Sequence, residues 1–195
     1  MPRTEQEYGG MHVMVGAAIT YTLAFMISIF IWSRFVADRI GHSNTYALGL
    51  VLLGICYLGA MWYATAFEYV IWHLLGGIGI AAFSAVWMSI GADTNDEVTN
   101  ACGRHQEAAL LGIRNFFFRF SFFVVGFVLA FTHILTGYVP GAAEQNELAK
   151  MGIRINVGLI PALCCFLGAF VMFVVYDLNH EKRDQLMKSL REKGL

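Results

Sequence analysis

Residues 11–33 read MHVMVGAAITYTLAFMISIFIWS, twenty-three consecutive positions without an aspartate, glutamate, lysine or arginine. A helix of about 20 apolar residues crosses the roughly 30 Å hydrocarbon core of a bilayer, so this stretch is expected to be a membrane span. Working outward, residues 46–67 and 69–92 are equally free of charge, with Glu68 as the break between them. Residues 108–133 are long enough but contain Arg114 and Arg119, and residues 156–176 contain Pro161. Membrane helices tolerate such a proline because neighbouring helices re-satisfy the freed backbone groups. The fold class that follows is an all-α membrane protein with five transmembrane helices, preceded by a short segment 1–10 and followed by a tail helix over 177–195.

Composition agrees. Hydrophobic residues make up 57% of the 195-residue chain and charged ones 14%, and the mean hydropathy is +0.59. Soluble domains carry about 25% charged residues. A formal net charge of −1 argues against a nucleic-acid partner, which needs a basic face. The segment MPRTEQEYGG carries Glu5 and Glu7 and lacks the basic region of a cleavable leader, so the first apolar run is expected to remain as a span.

Lys and Arg fall unevenly. Eight of the thirteen (Arg34, Arg39, Arg104, Lys182, Arg183, Lys188, Arg191 and Lys193) share one side of the expected topology, whereas Arg3, Lys150 and Arg154 share the other. The richer side is expected to be cytoplasmic, which places the C-terminus inside and the segment 1–10 outside. Glycines 49, 54, 59, 76, 77 and 79 lie within spans and are expected to mark close helix–helix contacts. A phosphate loop at Gly76-Gly77-Ile78-Gly79 is disfavoured, because no Lys-Ser/Thr follows. Cys56, Cys102, Cys164 and Cys165 have no metal-ligand spacing and are read as buried free thiols. The six histidines share no ligand spacing either, so neither a metal site nor a cofactor is expected.

The residues that could carry chemistry are charges out of place. Arg119 falls near the middle of its span, where a permanent charge costs about 2.5–3.5 kcal/mol on insertion scales. It is expected to face a water-filled cavity or a carboxylate. No acid lies in the core of any expected span, so such a partner must come from a solute, a loop or another segment. Arg114 is closer to the interface, and anchoring there is favoured for it. The segment GADTNDEVTNACGRHQEA between the third and fourth spans is read as a loop, with Asp93 at one helix mouth and Arg104 and Glu107 at the next. The tail, DLNHEKRDQLMKSLREKGL, reads as a surface helix with Asn179 as its cap and Leu186, Met187 and Leu190 as an apolar stripe; it is expected either on the membrane surface or in solvent. No nucleophile–base pair with a supporting acid is visible, so no enzymatic activity is expected.

These motifs together resemble the glycoside–pentoside–hexuronide:cation symporters, the melibiose-carrier group of the major facilitator superfamily. The resemblance is carried by Asp93 with Asp96 and Glu97, then Cys102-Gly103-Arg104-His105-Gln106-Glu107-Ala108, then Asn115-Phe116-Phe117-Phe118-Arg119. It continues through Gly137-Tyr138-Val139-Pro140, Gln145, Gly152-Ile153-Arg154, Ile160-Pro161 and Tyr176-Asp177-Leu178. Asp38-Arg39-Ile40-Gly41 is similar to the superfamily's cytoplasmic D-R-x-G loop, with Arg34 where the leading glycine stands. The family's Thr-Gly is here Cys102-Gly103, its Glu-Gly is Glu107-Ala108, and its intramembrane lysine falls on Arg119. Arginine keeps the charge but cannot release its proton.

The resemblance implies spans eight to twelve of a twelve-span carrier, the N-terminal half and one further helix being the missing partner. It also implies cation-coupled symport of a sugar or related small solute by alternating access, with Na+ or H+ as co-substrate. Arg119 would couple solute to cation. Asp38, Arg39, Asp93, Asp96, Glu97, Arg104 and Glu107 would form the cytoplasmic gate. A different expectation from the same sequence is a non-transporting membrane subunit or remnant that associates with other helices.

Overall fold

A computed structural model describes residues 3–142, 144–176 and 180–193, with side chains described over 10–142, 144–176 and 182–193. Among the described residues there is no strand; the chain is a series of helices. They are α1 (Arg3–Ile31), α2 (Ala37–Ile40), α3 (His42–Ala60), α4 (Ala66–Cys102), α5 (Glu107–Thr136), α6 (Glu147–Arg154), α7 (Ile160–Val174) and α8 (His180–Lys193). Two wider π-helical turns, Trp32–Val36 and Ile155–Leu159, join α1 to α2 and α6 to α7. Among the described residues, five stretches are long and apolar enough to cross a membrane: Gly10–Ile40, His42–Ala60, Ala66–Cys102, Glu107–Thr136 and Glu147–Val174. The five-span reading is therefore borne out, although the helices outrun the expected spans.

Two boundaries differ for local reasons. The break expected at Glu68 lies earlier, at 61–65. Thr65 Oγ1 accepts from the Glu68 N–H (3.2 Å) and the Glu68 carboxylate accepts from the Ala64 N–H (2.8 Å). This reciprocal cap starts α4 instead of ending a loop. The charged stretch after Asp93 is not a loop but the continuation of α4 through Cys102. No proline or glycine interrupts it until Gly103, whose positive φ of 67° is what turns the chain.

The chain divides into two compact units. Unit 1 comprises residues 1–88 and 158–177. Its core is built of small side chains: Thr45, Ala47, Ala81, Ala82, Val86 and Ala162 are all essentially inaccessible, and Val86 and Thr45 are the largest of the fully buried ones. Small residues permit the backbones to touch. A Cβ at Gly49 would stand 2.8 Å from the Phe83 nitrogen, and one at Gly77 would collide with the Tyr21 carbonyl oxygen. Likewise the ring of Phe166 on α7 fills the space over Gly54 on α3. The expectation that span glycines mark helix contacts is borne out, and Gly76-Gly77-Ile78-Gly79 lies inside α4. Without a hydrophobic driving force between helices in lipid, such close packing supplies the association energy.

Unit 2 comprises residues 89–157 and 178–195. α5 ends at Gly137, in the left-handed conformation (φ 67°), whose N–H caps the last turn. The loop beyond it is clasped by Gln145, which donates to the Val139 carbonyl (2.6 Å) and accepts from the Val139 N–H (3.1 Å). Asn146 then caps α6 by accepting from the Ala149 N–H (2.6 Å). The expected cap Asn179, with Asp177 and Leu178, lies outside the described residues.

Candidate functional site

The charged elements of unit 2 converge on the end of α4 that extends past the apolar segment. Asp93 is 6% exposed, and its carboxylate accepts from Arg183 Nε on α8 at 2.8 Å. Seven residues on, two helical turns along the same face, Asn100 Oδ1 accepts from Ser189 Oγ (3.0 Å) and Lys193 Nζ (2.6 Å). Lys193 Nζ also donates to the Asn100 carbonyl at 2.9 Å. Both contacts advance in the same direction along the two helices, so α8 lies parallel on α4. Leu186 and Leu190 are buried on the inner side of α8, whereas Met187 remains 40% exposed. The tail helix is thus docked on the end of α4.

The sequence reading set Asp93 at one helix mouth and Arg104 and Glu107 at the next, with a loop between them. Instead Arg104 and Glu107 are exposed at the α4–α5 turn, and the nearest ionic neighbour of Glu107 among the described residues is His105 Nδ1 at 3.7 Å. Asp96 is half-buried and Glu97 exposed on α4. Asp38 and Arg39 belong to unit 1, where both are exposed on the short helix α2. Of the seven expected gate residues, Asp93 is the one whose carboxylate is buried in an ion pair. Arg183 and Asn100, which sequence reasoning missed, complete the arrangement. Seven-residue spacing puts Asp93 and Asn100 on one face of α4, but nothing in the local sequence points to α8 as their partner.

The two intramembrane arginines behave differently. Arg114 lies over the backbone of Gly91, where a Cβ would crowd its guanidinium, and is half-buried within unit 2. It packs inward on α4 as well as lying nearer the helix end. Arg119 lies twelve residues into α5, about 18 Å along it at ~1.5 Å per residue. It is exposed and has no ionic or hydrogen-bonding partner among the described residues. No described residue of α5 is buried. Phe116, Phe117, Phe118, Phe120, Phe122 and Phe123 are all at least half exposed on it.

One further polar group stands out. Both amide atoms of Asn156, on the wide turn Ile155–Leu159, are buried without a hydrogen-bond partner among the described residues. The four cysteines are free thiols, but of the expected buried set Cys56 alone is buried, Cys165 is half-buried, and Cys102 and Cys164 are exposed. Cys102 is exposed because it ends α4 beyond the apolar segment, and Cys164 because it lies on an outward face of α7. Among the described residues no three of His, Cys, Asp and Glu gather to hold a metal ion.

Apolar spans joined by short turns, small-residue helix contacts and a charged extension clasped by a tail helix define a multi-pass helical membrane protein. The chain belongs to the MFS/sugar transport family, whose model matches residues 6–180. The resemblance drawn from Asp93 onward is thereby borne out. Its sequence is similar to the uncharacterized symporter YjmB of Bacillus subtilis (strain 168), at 23% identity over 181 residues, covering 88% of this chain and 39% of that protein. The chain thus spans about two fifths of the length of that relative. No solved structure matches it.

Proposed function

We propose that this chain supplies the five C-terminal spans of a cation-coupled symporter for a sugar or related small solute, working with a seven-span N-terminal portion by alternating access. Membership of the MFS/sugar transport family over residues 6–180 supports the reading. A relative named as a symporter, more than twice as long as the matched region, agrees with it.

The observation that carries the need for a partner is α5. A helix with a mid-span arginine and no buried residue is energetically incomplete in lipid. Its charge costs about 2.5–3.5 kcal/mol unless water or an opposite charge receives it. In the assembled carrier Arg119 borders the aqueous solute path and biases solute and cation occupancy through its fixed positive charge. Because arginine does not titrate in this range, it acts by electrostatics and not as a proton carrier. Asp93, clasped by Arg183, belongs to the cytoplasmic gate, with Asp96, Glu97, Arg104, Glu107, Asp38 and Arg39 as ionic contacts made and broken as the halves rock. The lysine and arginine bias supports a cytoplasmic C-terminus.

Proteoliposome uptake tests this. The chain alone is expected to move no radiolabelled sugar under an imposed Na+ or H+ gradient. Co-reconstitution with a seven-span N-terminal portion of a family member is expected to restore gradient-dependent uptake. Gradient-driven uptake by the lone chain would refute the need for a partner. A stable pair that transports nothing would favour a non-transporting membrane subunit.

A further inference from the structure

Unit 1 contains a cavity of about 370 Å³ between α1, α3 and α4, lined by Tyr21, Cys56, Tyr57, Trp72, His73 and Gly76 among others. We propose that it is a binding site for a neutral, single-hydroxyl lipid alcohol, with the hydroxyl on His73 and the apolar body running inward past Tyr21 and Gly76. The proposal concerns unit 1 alone and does not rest on the transport reading.

Position comes first. α3 ends at Ala60, which lines the cavity, and α4 begins at Ala66. Trp62, Tyr63 and Tyr69 gather around this turn, the Tyr63 and Tyr69 rings meeting edge-on at 5.0 Å, and Trp62 is 66% exposed. Such amphipathic rings sit at the headgroup level of a bilayer. Counting from the start of α4, His73 lies about 10 Å and Gly76 about 15 Å below that level at ~1.5 Å per residue. The cavity therefore runs from beneath the headgroups to near mid-bilayer, the depth of a small amphiphile.

Chemistry then restricts the occupant. None of the lining residues is an acid, a lysine or an arginine, so an ionised headgroup would be buried without compensation. His73 Nδ1 lies 2.8 Å from the Tyr69 carbonyl oxygen. A carbonyl only accepts, so in the neutral ring Nδ1 carries the hydrogen and Nε2 is left as an acceptor. The complementary ligand group is a donor such as an alcohol O–H. The ring is held in place by Tyr69, at a centroid separation of 4.1 Å. Trp72 is seated by Gly59, since a Cβ there would collide with the indole. The remaining wall is the rings of Tyr21 and Tyr57 with alanine, leucine, cysteine and glycine, so apart from two phenol hydroxyls and the Trp72 N–H its side chains suit a hydrocarbon body better than a sugar's several hydroxyls. The volume lies at the lower end of the ~300–1,000 Å³ range of small-ligand sites, too small for a two-chain phospholipid.

The test uses the full chain in nanodiscs and an alkyne-tagged, diazirine-bearing dodecanol. Photolabelling is expected to concentrate on peptides containing Tyr57 or Trp72 and to be suppressed by untagged dodecanol, but not by dodecane or dodecanoate. His73→Phe is expected to lower labelling there about fivefold, the loss of one hydrogen bond, and Ala60→Phe to abolish it by filling the mouth. Where His73→Phe alters helicity or elution, the competition series on the unaltered chain decides. Labelling spread evenly over exposed helix faces, equal protection by dodecane, or protection by methyl glucoside in place of dodecanol would overturn the assignment.

Discussion

Replacing Arg183 with alanine removes the donor that meets Asp93 at 2.8 Å, leaving a carboxylate whose side chain is only 7% exposed. A fully buried pair broken on one side costs about 3–5 kcal/mol. Two features reduce that figure here. Arg183 is itself 40% exposed, so solvent already screens it, and Asp93 has at least one further interaction to fall back on. A loss of about 1.5–3 kcal/mol, that of a hydrogen bond to a charged group, is the expected size. At 1.4 kcal/mol per factor of ten, the equilibrium for undocking α8 from α4 rises by roughly 10- to 100-fold. Backbone amide hydrogen exchange across 183–193 reads this directly, in a chain whose remaining helices serve as internal reference. Asp93→Asn combined with Arg183→Ala is expected to exchange more slowly than Arg183→Ala alone, because no uncompensated charge is left behind. If Arg183→Ala changes exchange in α8 by less than about threefold, or if the two substitutions simply add, the pair does not hold the tail as argued.

Three other outcomes follow. Gly77→Ala is expected to destabilise unit 1 by about 2 kcal/mol or more, since the added methyl meets the Tyr21 carbonyl. Gly126→Ala, where a Cβ has nothing within 4 Å, is expected to be neutral or to stabilise by up to about 1 kcal/mol through helix propensity; thermal unfolding in detergent compares them, and equal effects would contradict the close approach. Asn156→Leu is expected to raise the melting temperature, because burying an unsatisfied amide costs about 1–3 kcal/mol, and a lower melting temperature would mean that the amide is partnered. In the co-reconstituted carrier, Arg119→Lys is expected to retain a measurable fraction of uptake and Arg119→Leu to lose nearly all of it. Equal activity of the two would remove the electrostatic role.

Physical scale explains what the sequence made legible. Uninterrupted apolar runs such as 11–33 show their depth in the membrane residue by residue, because hydrocarbon admits so few alternatives. Glycine positions announced the α1–α4 and α3–α4 contacts for the same reason. Asp93 to Asn100 misled because charge was read as loop, although nothing in DTNDEVTN breaks a helix outright. Its polar side chains project from a helical extension that leaves the apolar segment. The clasp of Asp93 and Asn100 by Arg183, Ser189 and Lys193 joins positions about ninety residues apart, and no local pattern encodes such a pairing. Arg119 could be recognised as costly, yet no partner for its charge is found among the described residues.

Five crossings have a consequence that a count of apolar segments alone does not secure: the two ends of the chain lie on opposite faces of the membrane. Tags placed before residue 1 and after residue 195, probed by protease in intact and in permeabilised cells, measure this directly. The N-terminal tag is expected to be cleaved in intact cells and the C-terminal tag only after permeabilisation. Cleavage of both tags, or of neither, before permeabilisation would contradict the five-span topology on which the transporter reading stands.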